Sequence, residues 1–280
     1  MKQRLISAGV ALPILAIVLF CYETFVFNLV ISVLSFIAVY EMLMATKYIE
    51  NKALAVICLS YTAIFPFTSH PIISPFTDTI ILVFALTLFI FLLANHKKIK
   101  IEEVALSGVV SFLITASFSV SIYMRNNFGT FVGLFYLCIA LGSAWFSDAG
   151  AYFAGMFFGK HKLAPNISPK KTIEGAIGGV ISNIIFMSLY GLLYTFIIGK
   201  FFDTVIEIDY VKMIIFLPFI SVSGILGDLS ASIVKRQCMI KDFGNIMPGH
   251  GGVLDRFDSV LFTIPITYYI VKYFPVAFLG

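Results

Sequence analysis

Apolar runs of roughly 20 residues alternate along the chain with short polar breaks marked by charge, Pro or Asn. Runs of that length suit helices that rise about 1.5 Å per residue through the ~30 Å hydrocarbon core of a bilayer. Their positions predict nine spanning helices, near 5–21, 25–44, 53–68, 79–95, 104–124, 130–154, 173–199, 212–233 and 259–278. The expected fold class is all-α, a polytopic integral membrane protein. No polar stretch is long enough to build a soluble domain beside the membrane part. One continuous membrane domain is therefore expected, with helices one to five (1–128) as scaffold and helices six to nine (129–280) carrying the site.

Composition agrees with that pattern: 60% of the residues are hydrophobic, 12% are charged and 30 are Phe, and mean hydropathy is +0.99. The opening MKQRLISAGVALPILAIVLFC has the outline of a signal peptide. It lacks a small-residue cleavage site and places Phe20 before Cys21, so a retained first helix is expected. Cys21, Cys58, Cys138 and Cys238 lie far apart and mostly within apolar runs, which gives neither a disulfide framework nor a CxxC metal knuckle.

Charge fixes an expected orientation. Numbering loops from an inside N-terminus puts fifteen of the 19 basic residues on the cytoplasmic side and leaves Arg125, Lys200, Lys212 and Lys272 outside. This predicts N-inside, C-outside topology, and it places the two long polar loops, 159–171 and 235–258, on the same cytoplasmic face. The acids of the first five helices (Glu23, Glu41, Glu50, Asp78, Glu102 and Glu103) fall near predicted helix ends and are read as solvated by water or headgroups.

Beyond residue 140 the polar residues change character. Asp148 and Asp228 fall within or near the inner ends of predicted spans, where a carboxylate costs about 2.5–3.5 kcal/mol on insertion scales. Around Asp148, GSAWFSDAGAYFAG brings small residues to helical spacing, which permits close helix packing or a cavity. In GDLSASIVKR, Asp228, Ser232 and Lys235 follow at i, i+4, i+7 and form one stripe of acid, hydroxyl and amine. In DRFD, Asp255 and Asp258 share a face if a helix begins near Leu254. Clustered hard oxygens near the cytoplasm suit Mg²⁺, which takes one or two carboxylates and keeps other positions for water and phosphate, with room for a second cation. Acids at a helix N-terminus also match the macrodipole, an alternative that applies most to Asp258.

Gly249, Gly251 and Gly252 around His250 allow close backbone approach and an anion-binding nest. Six cations lie in the two loops: Lys170, Lys171, Lys235, Arg236, Lys241 and Arg256. Part of that charge is the ordinary inside bias, and the remainder reads as a cradle for several phosphates. The inventory points to phosphoryl or nucleotidyl transfer between a lipid and a soluble substrate. GxSxG, HExxH and GxxxxGK[ST] are absent, so acyl transfer, zinc proteolysis and Walker-type ATP hydrolysis have no support.

The segment SASIVKRQCMIKDFGNIMPGHGGVLDRFD closely resembles the signature of the phosphatidate cytidylyltransferase (CDP-diacylglycerol synthase) family, and Ser147 to Gly179 resembles that family's other well-preserved region. Ile173, where the family pattern has an aromatic, and Cys238-Met239, where it has smaller residues, are the departures. The resemblance implies conversion of CTP and phosphatidate to CDP-diacylglycerol and pyrophosphate, with Mg²⁺ required, in phospholipid biosynthesis at the cell membrane. Combined with the residue inventory, it assigns the metal to Asp228 and Asp255, with Asp148 and Asp258 completing or orienting the site. The catalytic set is then Asp228, Asp255, Lys235 and Arg256. The remaining phosphate contacts are Lys170, Lys171, Ser232, Arg236, Lys241, His250, Gly251 and Gly252. His250 is read as positioning a phosphate, because a phosphomonoester with a second pKa near about 6 is already mostly dianionic. The expected partners are CTP, phosphatidate, membrane lipids and a second copy of the chain, with no nucleic acid. The competing readings are a CTP-dependent lipid kinase, another membrane phosphotransferase and a secondary transporter. The DG-x2-AR core of CDP-alcohol phosphotransferases is absent.

Overall fold

A computed structural model describes Gly9, residues 13–247 and residues 251–280. Residues 13–20 are helical (α1). There follow α2 (Phe25–Ala45), α3 (Lys52–Ile64), α4 (Thr77–Asn95), α5 (Ile101–Phe158), α6 (Ile173–Phe202), α7 (Tyr210–Gln237), α8 (Leu254–Phe257) and α9 (Val260–Tyr273). Among the described residues six helical segments are long and apolar enough to cross a membrane: α2, α3 prolonged to Ser69, α4 counted from Ser74, α5, α6 and α7. The expected all-α class holds, with two small antiparallel sheets added. One pairs β1 (Lys162–Ala164) with β2 (Ser168–Thr172), and the other pairs β3 (Ile206–Ile208) with β4 (Ala277–Leu279).

At 58 residues α5 would extend about 87 Å if straight, far beyond one hydrocarbon core. Gly129 interrupts it at φ 75° and ψ 179°, a conformation open to glycine and closed to side chains. The expected spans 104–124 and 130–154 lie on either side of that break.

The expected ninth span, 259–278, is shorter in the structure. Pro275 disfavours helical geometry at Phe274 (φ −131°, ψ 75°), so α9 stops at Tyr273 and the chain turns into β4. At its start, the helix expected from Leu254 runs only to Phe257, and α9 begins separately at Val260.

The chain forms two compact units. One is the chain up to Tyr123 together with Gln237–Arg256; the other is Met124–Arg236 with Phe257–Gly280. In the first, α2 is tied to α3 and its following turn by side chains that satisfy backbone carbonyls away from water. Asn28 Nδ2 donates to Pro66 O (3.2 Å) and Ser69 Oγ (2.9 Å), and Ser32 Oγ donates to Ala63 O (2.8 Å). Tyr61 stacks on Phe84 at 4.0 Å between ring centroids.

In the second unit α5 and α6 meet along a seam of small residues. Gly150 faces Ser182 and Gly178 faces Ala154, while Gly175 and Gly179 lie against the carbonyls of Ala151 and Ser147. A Cβ on Gly178 would stand 2.1 Å from that of Ala154, so the seam closes only without side chains. Polar cross-links complete it: Asn183 Nδ2 donates to Leu217 O (3.0 Å), and Ser147 Oγ hydrogen-bonds Ser221 Oγ (2.6 Å).

Candidate functional site

The second unit gathers three of the expected carboxylates. Asp148 comes from α5, Asp228 from α7, and Asp258 from the break before α9. Gly227 lets α7 approach that break, since a Cβ there would lie 2.5 Å from the Asp258 carbonyl. Ser259 links two of the acids: its N–H donates to Asp258 Oδ1 (2.7 Å) and its hydroxyl to Asp148 Oδ2 (3.4 Å). Burial, followed by the Asp228 carboxylate, pushes the Asp258 carboxyl up to about 7; Asp148 raises it further, whereas the Ser259 N–H and Lys235 lower it.

Cations surround this group. Lys171 on β2 forms an ion pair with Asp228, each about a quarter exposed, and Ser232 Oγ makes a long 3.5 Å bond to the other Asp228 oxygen. The expected stripe of Asp228, Ser232 and Lys235 is present on α7, and Lys235 acts electrostatically on Asp258.

The β1–β2 hairpin that carries Lys170 and Lys171 is anchored at both ends. Thr172 accepts from Gly175 N (3.1 Å) and caps α6. Glu174 accepts from Lys160 N (3.1 Å), His161 N (3.2 Å) and His161 Nδ1 (2.6 Å). Arg236 Nε reaches Ile167 O at 3.4 Å. Lys170 is exposed.

The loop Gln237–Arg256 belongs to the first unit, where its backbone closes on two carboxylates. Asp255 Oδ2 accepts from Phe243 N (2.8 Å) and Gly252 N (3.0 Å). Glu41, 2% exposed on α2, accepts from Val253 N (3.0 Å) and Leu254 N (2.8 Å), one on each oxygen. The solvated reading of Glu41 is thus corrected. At this depth a carboxylate costs about 2.5–3.5 kcal/mol on insertion scales, and two charge-assisted N–H bonds offset a cost of that size. The available signal was its place three residues inside the predicted end of the 25–44 span. Gly251 adopts φ 84°, as a nest requires, while Lys241 and Arg256 are exposed. His250 and Gly249 lie outside the described residues.

The helix expected to carry both Asp255 and Asp258 ends at Phe257: Asp255 lies on α8 in the first unit, and Asp258 in the turn before α9 in the second. Among the described residues no three His, Cys, Asp or Glu side chains are arranged to hold a metal ion unaided. The acids of the second unit nonetheless suit Mg²⁺, which needs only one or two protein carboxylates when phosphates and water complete its shell.

Known proteins share this arrangement of sequence. Residues 2–274 match the cytidylyltransferase family. A phosphatidate cytidylyltransferase of Bacillus subtilis (strain 168) is 32% identical over 282 residues, 98% of each chain. One of Thermotoga maritima is 28% identical over 277 residues, covering 97% of this chain and 96% of its own. One of Aquifex aeolicus is 40% identical over 143 residues, about half of each. With the match running through both units, the chain belongs to the cytidylyltransferase family and is a nucleotidyltransferase.

Proposed function

We propose that this chain is a phosphatidate cytidylyltransferase, converting CTP and phosphatidate to CDP-diacylglycerol and pyrophosphate. The observation that carries the reading is the near end-to-end likeness to the Bacillus subtilis enzyme, 32% identical over 98% of both chains. The site supports it chemically. A phosphatidate oxygen attacks the α-phosphorus of CTP, a new P–O bond forms, and the bond to the β-phosphate oxygen breaks as pyrophosphate leaves.

Asp228 and Asp258, with Asp148 beside them, are the residues that would hold Mg²⁺. When bound, the ion supplies charge neutralisation on the triphosphate and polarisation of the reacting phosphoryl group. Lys170, Lys171, Lys235 and Arg236 are assigned to phosphate oxygens of the substrates, and Ser232 orients Asp228. In the first unit, Gly251, Gly252, Lys241 and Arg256 are assigned to a phosphate, as is His250, which lies outside the described residues. Asp255, whose Oδ2 already takes two backbone N–H groups, is assigned to ordering that loop.

The inside bias of the basic residues supports a site that opens to the cytoplasm, where CTP is dissolved, in a cell membrane crossed nine times: by α1, both parts of α5, α9 and the other apolar helices. Product identity tests the function. With CTP labelled at the α-phosphate the lipid becomes labelled, and with CTP labelled at the γ-phosphate it does not. The reverse pattern would establish a lipid kinase.

A further inference from the structure

The loop Gln237–Arg256 is short of regular structure, yet transfer chemistry needs its backbone donors and Arg256 held still. Its last turn is fixed from a distance. Glu41, 212 residues before Val253, takes one N–H on each carboxylate oxygen, from Val253 and Leu254. Two glycines make room for it. A Cβ on Gly244 would meet Glu41 Oε1 at 2.4 Å, and one on Gly252 would meet both carboxylate oxygens at 2.5 Å. Among the described glycines of this loop only Gly251 has a positive φ, so Gly244 and Gly252 are not required to be glycine by their backbone conformation. The carboxylate of Glu41 is what requires them.

We propose that Glu41 is a positioning residue for nucleotidyl transfer. From α2, it fixes the chain at Val253 and Leu254 and so sets where Gly251, Gly252 and Arg256 are presented. The N-terminal part of the chain then orders the loop of its own unit that carries Gly251, Gly252 and Arg256. The proposal rests on the cytidylyltransferase reading above. Gln at this position would keep one acceptor oxygen and turn its amide NH2, a donor, toward the second N–H, and Ala would remove both acceptors.

The test compares wild type, Glu41→Gln, Glu41→Ala, Gly252→Ala and the double variant Glu41→Ala/Gly252→Ala, each purified in detergent. Two readouts are used: amide hydrogen exchange, and initial rates with CTP and phosphatidate. Exchange at Val253 and Leu254 should quicken by roughly tenfold or more in Glu41→Ala while α2 and α3 stay protected. Turnover should fall by about 10²-fold, the scale of a misplacement near 1 Å, and Glu41→Gln should fall between wild type and Glu41→Ala. Gly252→Ala should cost distinctly more when Glu41 is present than when it is absent, the non-additivity expected of groups in contact. Wild-type turnover in Glu41→Ala, unchanged exchange at the two amides, or an equal Gly252→Ala penalty in both backgrounds would each overturn the proposal. A wild-type protein that leaves phosphatidate unconverted would overturn the proposed function and the catalytic meaning of the contact, and the exchange comparison would still decide whether the latch exists.

Discussion

Asp258 should give the folded protein a pH dependence that one substitution removes. Partial burial in the second unit, followed by the Asp228 and Asp148 carboxylates, pushes this carboxyl up to about 7 from its ordinary 3.8. Because the folded value lies above the unfolded one, the native state retains a proton that the unfolded chain releases. The stabilisation is therefore complete below about pH 4 and is lost progressively as pH rises through about 7. A rise of about three units corresponds to ~4 kcal/mol at 1.36 kcal/mol per unit, and solvent reaching a half-buried group trims this to ~2–4 kcal/mol. Asp258→Asn has no proton to lose. The assay is thermal unfolding in detergent, with a chelator present, at intervals from pH 5 to pH 8. Wild type should lose stability relative to Asp258→Asn across that window, most steeply below about pH 6.5 and levelling off above about pH 7. Parallel curves for the two proteins would refute the reasoning.

Other substitutions probe the remaining links. Gly178→Leu should open the α5–α6 seam and lower the unfolding midpoint sharply, whereas Gly199→Ala, whose nearest neighbour would be 3.9 Å away, should leave it unchanged or slightly raised. Asp228→Asn should lower turnover by at least about 10²-fold while circular dichroism still shows a helical protein. Lys171→Met, which removes the ion-pair partner of Asp228, should raise the KM for CTP as well as lowering kcat. Thr172→Ala deletes the N-cap of α6 and should cost ~1 kcal/mol of stability, read as a shift in the same unfolding assay.

Much of this architecture follows from hydrophobic pattern. The runs near 25–44, 79–95, 173–199 and 212–233 lie within a few residues of α2, α4, α6 and α7, because in a bilayer the length of an apolar run is set by the thickness it must cross. The small residues of GSAWFSDAGAYFAG likewise signalled close helix packing or a cavity, and in the structure several of them line the α5–α6 seam. Three features needed more than pattern. The hairpin around Lys170 and Lys171 is held by Glu174 reaching back to Lys160 and His161 and by Arg236 reaching Ile167, contacts that follow no sequence period. The break between α8 and α9 follows from the Ser259 N–H turning to the Asp258 side chain, a local competition that acid spacing does not reveal. Glu41 was hidden because its partners are backbone N–H groups, which have no signature among side chains. Its burial is explained only by a loop more than two hundred residues away.

The central claim is that this chain transfers a cytidylyl group to phosphatidate, and product stoichiometry from the purified protein tests it most directly. In mixed micelles with phosphatidate, CTP and Mg²⁺, phosphorus NMR should show one CDP-diacylglycerol and one pyrophosphate for each CTP consumed, with no turnover when phosphatidate is omitted. CDP accompanied by a newly phosphorylated lipid, or phosphatidate left unchanged while CTP persists, would contradict it.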